Sequence, residues 1–146
     1  MLGWNWEMKK EEGKRTMIEV IQKYAEMLSI LILRPLIPFD DTLGNNLPAE
    51  GGVYLIVEIS HNLKEGIYVD KTWNLKEGIC TDLLMNDSKA LMFKKKLVEK
   101  SGFESEKIRQ YLEERCRLQY LEVSDKRDRT LFAHFAISIL NPRFND

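Results

Sequence analysis

The chain has 146 residues, of which 44% are hydrophobic and 31% charged, and a formal net charge of −1. That describes one ordinary globular domain with enough apolar material for a core, and it excludes a protein that holds nucleic acid through overall charge. Cys80 and Cys116 lack C-x-x-C spacing and His61 and His134 lack ligand spacing, which excludes a disulfide framework or zinc site and points to a reducing, cytoplasmic compartment. No apolar signal-type segment opens the chain. The longest apolar run, "MLSILIL" at 27–33, is too short to span a bilayer, so no membrane partner is expected.

Residues 1–15 are charged and aromatic without period and read as a loose arm or short packed lead. Thr16 and Glu19 form a capping-box pattern, and Met17, Ile21, Tyr24, Leu28 and Leu31 recur at helical spacing, predicting an amphipathic helix whose stripe packs on the chain's own core. Pro35 and Pro38 end it, and a connector follows. "GVYLIVEI" at 52–59 predicts a strand, "HNLKEG" a hairpin loop, and "IYVDKT" at 67–72 the return strand. Asn74 caps a predicted helix carrying Leu75, Ile79 and Leu83. Further helices are predicted from near Ser88 to Lys100 and over 105–116, then a strand over 117–123 that alternates Leu118 and Tyr120 against Gln119, Leu121 and Val123. The last helix, 124–140, carries one row of Leu131, Phe135 and Ile139 and an adjacent row of Phe132, Ala136 and Leu140. The class is α+β, a small three-stranded antiparallel sheet flanked by helices, with an extra helix at the N-terminus.

The hexapeptide "NLKEGI" stands at 62–67 and again at 74–79. The first copy runs from loop into strand and the second opens a helix, because context overrides weak local preference. Tyr54 and Tyr68 lie symmetrically about residue 61, so the two phenols are expected opposite each other on one face of the hairpin, with Asp70 on that face too. By geometry alone such a pair reads first as core filling.

"GVY" at 52–54, "IYVDKTWNL" at 67–75 and "LNPRFN" at 140–145, in that order and at compatible spacing, resemble the GIY-YIG nuclease superfamily over residues 50–146, leaving 1–49 as N-terminal arm, helix and connector. The resemblance implies phosphodiester cleavage with one divalent metal. It implies Tyr54 as general base and Tyr68 as the residue that positions phosphate. It also implies an Arg after the hairpin and a metal-holding Glu in a later helix, with Lys71 and Asn145 matching the Lys and Asn of the pattern.

The departures from that pattern decide the functional expectation. Asp70 replaces the Gly of the second motif, the Arg position falls on Gly78, and the Glu position falls on Ala133, at the edge of the packed face, beside an outward-pointing His134. A tyrosine with a pKa of about 10 is a feeble base unless a cation helps it. Losing one preorganised charge stabiliser costs roughly 10²–10³ in rate, and a lost metal removes Lewis-acid help worth about several kcal/mol. A carboxylate at Asp70 also opposes phosphate. The expectation is a GIY-YIG-like domain with impaired catalysis that retains weak DNA or RNA binding through Lys71, Lys94, Lys95, Lys96, Arg143 and Asn145, with Trp4, Trp6 and Trp73 available for base stacking and no metal. "DKRDR" at 125–129 reads as mixed and self-neutralising. One alternative is an active endonuclease that takes Mg²⁺ or Mn²⁺ on carboxylates such as Asp70, Glu77 or Asp82. The other is an interaction module whose N-terminal helix makes a homodimer.

Overall fold

A run of β-branched residues builds the strand at the centre of the molecule. A computed structural model describes the backbone of residues 4–84 and 91–146, and the side chains of those residues outside 4–15, 82–84, 91 and 105. The strands are β1 (Ile37–Pro38), β2 (Gly52–Ser60), β3 (Leu63–Thr72) and β4 (Cys116–Glu122), antiparallel in the order β1-β4-β2-β3. The expected α+β class holds, but the sheet has four strands where three were predicted. The addition is the two-residue β1, which pairs Ile37 with Leu118 and Pro38 with Arg117. A segment that short and bracketed by prolines carries no strand period, and its proline fits because β1 lies at an edge.

Helix α1 spans Trp4–Leu33. Residues 4–15, expected as a loose arm or short lead, are therefore helical, and Thr16 lies inside the helix rather than capping it. The Lys- and Glu-rich lead is made of good helix formers, which outweighs the capping signal. Only the later part of the apolar stripe meets the core. Tyr24, Leu28 and Leu31 are buried, whereas Met17 and Ile21 are 67% and 58% exposed, because the sheet does not extend beneath them. Lys64 Nζ (2.8 Å) and Gln119 Nε2 (3.0 Å) both donate to the Ile32 carbonyl, and Gln119 also donates to that of Arg34. These bonds satisfy carbonyls that a helix end leaves open.

The hairpin is tighter than predicted. His61 and Asn62 both have positive φ (51° and 66°), as a two-residue type I′ turn requires, and Ser60 pairs directly with Leu63. Most of the first "NLKEGI" is therefore strand. The ladder then shifts between Ile56 and Val57: Val57 pairs with Gly66 and Ile56 with Tyr68, leaving Ile67 as the extra residue of a bulge.

After β3, Asn74 caps α2 (Leu75–Glu77) by accepting the Glu77 N–H at 2.9 Å. The predicted α-helix holds for that one turn and opens at Gly78 into a π-helix, Gly78–Leu84. The predicted start near Ser88 lies outside the described residues; α3 is described over Leu91–Ser101 and α4 over Ile108–Arg115. The last helix, α5 (Lys126–Leu140), is capped by Asp125 and stopped by Asn141 in the left-handed conformation. Of its two predicted rows, Phe132 and Ala136 are buried, but Leu131 and Ile139 are exposed; the row that meets the sheet is the one continued by Ala133.

Alternation along β2 divides the core into two layers. Tyr54 and Ile56 face a cluster with Leu75, Ile79, Phe93, Leu97, Leu112 and Phe144. Val53, Leu55 and Val57 face α1 and α5 through Leu28, Leu31, Phe132, Ala133 and Ala136. No helix among the described residues is long and apolar enough to cross a membrane.

The C-terminal tail closes the outer edge of β3. Phe144 N–H donates to the Ile67 carbonyl, the Asn145 side-chain amide donates to the Val69 carbonyl, and its oxygen accepts the Val69 N–H, the last two at 2.8 Å. Edge backbone that would otherwise be open to another strand is thus paired. Asn145→Ala removes two part-buried bonds and is expected to destabilise the protein by roughly 1–3 kcal/mol. A urea denaturation curve with an unchanged midpoint would refute the clasp.

Candidate functional site

The bulge decides how the tyrosines meet. Tyr54 pairs with Asp70, and Tyr68 with Ile56. The phenols are therefore diagonal neighbours rather than the directly opposed pair expected from symmetry about residue 61, which assumed neither the two-residue turn nor the extra Ile67. They still share a face, with ring centroids 6.4 Å apart. The Tyr68 hydroxyl donates to Asp70 Oδ2 at 3.0 Å, and Asp70 Oδ1 accepts the Lys71 N–H at 2.8 Å. Phe93 lies against Tyr68 at 4.8 Å, and Phe144 lies edge-on to Phe93. The rings are packed inside, with Tyr54 5% and Tyr68 4% exposed.

Burial sets the protonation of this group. Desolvation, reinforced by the Asp70 charge and hydrogen bond, raises the Tyr68 phenol far above its ordinary value. Burial also raises the Asp70 carboxyl, outweighing the bonds from Lys71 and Tyr68 that favour its charged form. Tyr68 is thus a protonated donor at neutral pH.

Beyond Asp70, the other two departures from the pattern, Gly78 and Ala133, lie in different places. Gly78 is buried against Thr72, and a Cβ at this position would overlap the Thr72 hydroxyl, so a side chain fits only if that of Thr72 gives way. Ala133 is 3% exposed and belongs to the α1/α5 layer, across the sheet from the phenols. It is inside the packed face, not at its edge as the helical wheel indicated, because it joins the cluster that α1 and α5 form on this side of the sheet; His134 is exposed as expected. The described residues do not fit a divalent ion. Asp70 accepts from the Tyr68 hydroxyl, and among the described residues no three His, Cys, Asp or Glu side chains gather where they could hold a metal. Glu77 is exposed in the first turn of α2, and the side chain of Asp82 lies outside the described residues.

The expected nucleic-acid contacts are not brought together. Lys71 is exposed on the strand face opposite Asp70. Lys94, Lys95 and Lys96 ride on α3, whose Phe93 packs against the other layer, and burial lowers the Lys94 pKa. Arg143 is engaged elsewhere. Its guanidinium bridges Glu58 (2.7 Å) and Glu65 (3.1 Å), which stand opposite each other on β2 and β3 as a like-charged pair. Glu58 also accepts the Tyr111 hydroxyl at 2.9 Å. Asn145 is held by the β3 edge. Trp4 and Trp6 lie among residues whose side chains are not described, whereas Trp73 is 56% exposed. Cys80 and Cys116 are free thiols, and burial pushes Cys116 up to about 12, leaving it inert at neutral pH.

Two cations escaped the sequence reading. Lys126 and Arg129 border a cleft with Lys71 and Trp73, although "DKRDR" reads as self-neutralising. The acids of that segment turn away: Asp125 caps α5, and Asp128 binds Lys23 (2.7 Å) and Tyr24 (3.0 Å) of α1. The signal available in the sequence was the i, i+3, i+4 spacing of Lys126, Arg129 and Thr130.

No family model and no curated protein matches the chain. Solved structures of the GIY-YIG N-terminal endonuclease domain of UvrC from Thermotoga maritima are similar to it. The magnesium-bound form is 15% identical with a TM-score of 0.47, covering 73% of this chain and 99% of that one. Two point mutants of the same domain, bound to its catalytic divalent cation, are 14% and 15% identical, with TM-scores of 0.47 and 0.46, and cover 73% of this chain and 98% of theirs. Identities this low say nothing about which residues act.

Because the folded state raises the Asp70 pKa, it holds that proton more tightly than the unfolded chain does. The group favours the fold most in acid, and that contribution is lost as pH rises through the raised value. Asp70→Asn, which stays neutral and still accepts from Tyr68, is expected to melt higher than wild type at neutral pH and to converge with it below about pH 4. Thermal melts across that range check the sign; a variant that melts lower at pH 7 contradicts it.

Proposed function

We propose that this chain is a degenerate member of the GIY-YIG nuclease superfamily, one that keeps the tyrosine hairpin, no longer cleaves, and binds nucleic acid weakly. The ordered motifs at 52–54, 67–75 and 140–145 support the kinship. The observation that carries the loss of cleavage is the burial of both phenols with the Tyr68 hydroxyl donated to Asp70. A general base must reach the proton it abstracts and be deprotonated near the working pH. Tyr54, in the base position, is packed inside at 5% exposure, out of reach of a water to activate, and Tyr68, in the phosphate-positioning role, donates its hydroxyl to a carboxylate that opposes phosphate. The positions that would supply a guanidinium and a metal-holding carboxylate are Gly78, where a Cβ would overlap the Thr72 side chain, and Ala133, across the sheet.

Plasmid incubated with the chain and Mg²⁺ or Mn²⁺ is expected to stay intact at the level of the buffer control, with Tyr54→Phe and Tyr68→Phe indistinguishable from wild type. Cutting that disappears in Tyr54→Phe would establish the active-endonuclease alternative instead.

A second reading is favoured by the exposed apolar stretch of α1. Met17, Ile18, Val20 and Ile21 are all well exposed, and Met17 and Ile21 continue the row of Tyr24, Leu28 and Leu31 at heptad-like spacing. A second copy of α1 offers the matching stripe, so the chain self-associates through it. Light scattering is expected to give a dimer mass for wild type and a monomer mass for Met17→Glu/Ile21→Glu; a monomeric wild type refutes this reading.

A further inference from the structure

At the Thr72 end of β3, on the side of the sheet covered by α5, lies a cleft of about 250 Å³ lined by Lys71, Thr72, Trp73, Lys126, Arg129 and Thr130. The lining holds three cations, the Thr130 hydroxyl and an indole, and no carboxylate; Thr72 turns its own hydroxyl to the Asn74 carbonyl. Strand alternation aims Lys71 away from Asp70 and toward this face. Helical spacing places Lys126, Arg129 and Thr130 on one side of the first two turns of α5. Arg129 is anchored rather than loose: Nη1 donates to the carbonyls of Val123 (3.1 Å) and Ser124 (3.4 Å). It occupies space that is free because residue 51 is glycine, since a Cβ there would collide with Nη1. The indole of Trp73 is more than half exposed beside these cations.

We propose that this cleft is a subsite for one nucleotide of a single-stranded nucleic acid, with the phosphate among Lys71, Lys126 and Arg129 and the base stacked on Trp73. The proposal rests on the nucleic-acid reading above but concerns different residues from the tyrosine pair. Clustered cations answer phosphate whatever its source. The adjacent indole narrows the ligand to one carrying an aromatic face, and a base can reach it only when it is not already stacked in a duplex. A volume of about 250 Å³ accommodates one phosphate and sugar with the base on the rim, not a double helix.

The test is fluorescence anisotropy of the full chain with a labelled short oligothymidine and with a duplex, at low and moderate salt, using thymidine monophosphate and inorganic phosphate as competitors. The single strand is expected to bind better than the duplex. Trp73→Ala and Lys126→Glu should each weaken it roughly tenfold or more, the latter with a salt dependence shallower by about one unit. Lys107→Glu, on the α4 side, should leave it unchanged. Both cleft residues are exposed, and circular dichroism melts confirm that the variants fold. If wild type binds but both cleft variants bind equally well, the subsite is wrong while the nucleic-acid reading stands. If wild type binds neither strand nor duplex, both fail. If the mononucleotide or free phosphate binds as tightly as the strand, the cleft is a small-anion site and the strand assignment is overturned.

Discussion

A single extra residue in the β2–β3 ladder governs the relation between the aromatic cluster and the polar groups around it. The two-residue turn at His61 and Asn62 starts the pairing in one register, and Ile67 moves it by one residue before the tyrosines are reached. Because side chains in a strand alternate faces, that step determines which partner stands opposite Tyr54. With the bulge, the partner is Asp70. Tyr68 and Asp70, two residues apart on one strand, share a face in any register, but the shift sets the phenols diagonally, with Phe93 against Tyr68 and Phe144 edge-on to Phe93.

The same alternation separates the charges. Asp70 turns into the phenol layer and Lys71, its neighbour, turns out beside α5. One end of β3 therefore presents a negative group to the interior and a positive group to the cleft. Elsewhere the cations serve the fold. Arg143 holds together two opposed glutamates, and Lys23 joins α1 to α5 through Asp128. The tail is structural in the same sense, since Asn145 supplies the sheet edge with the pair of bonds another strand would have made.

The two copies of "NLKEGI" show how little six residues specify. In the first, Asn62 takes a left-handed turn position, Leu63 to Gly66 pair with β2, and Ile67 is the bulge residue. In the second, Asn74 is extended and caps a helix with its side chain. The glycines diverge as well. Gly66 sits in a strand with Leu55 near it, whereas Gly78 packs on Thr72 where the α-helix gives way to the wider π-helix. Each copy follows its partners in space.

By itself the sequence determined the features written in local spacing: the helical stripe through Tyr24, Leu28 and Leu31, the alternation in β2 and β4, the cap at Asn74, and the shared face of Tyr54, Tyr68 and Asp70. The tertiary structure alone decided where those features end and what they touch. It placed β1 on the sheet edge, continued α1 back to Trp4, left Met17 and Ile21 uncovered, buried Ala133 opposite the phenols, and turned Lys126 and Arg129 to the same cleft as Lys71. The physical reason is that periodicity depends on neighbours a few residues away. Register, burial and charge pairing depend on contacts such as Asn145 with Val69 or Lys23 with Asp128, which come from distant parts of the chain.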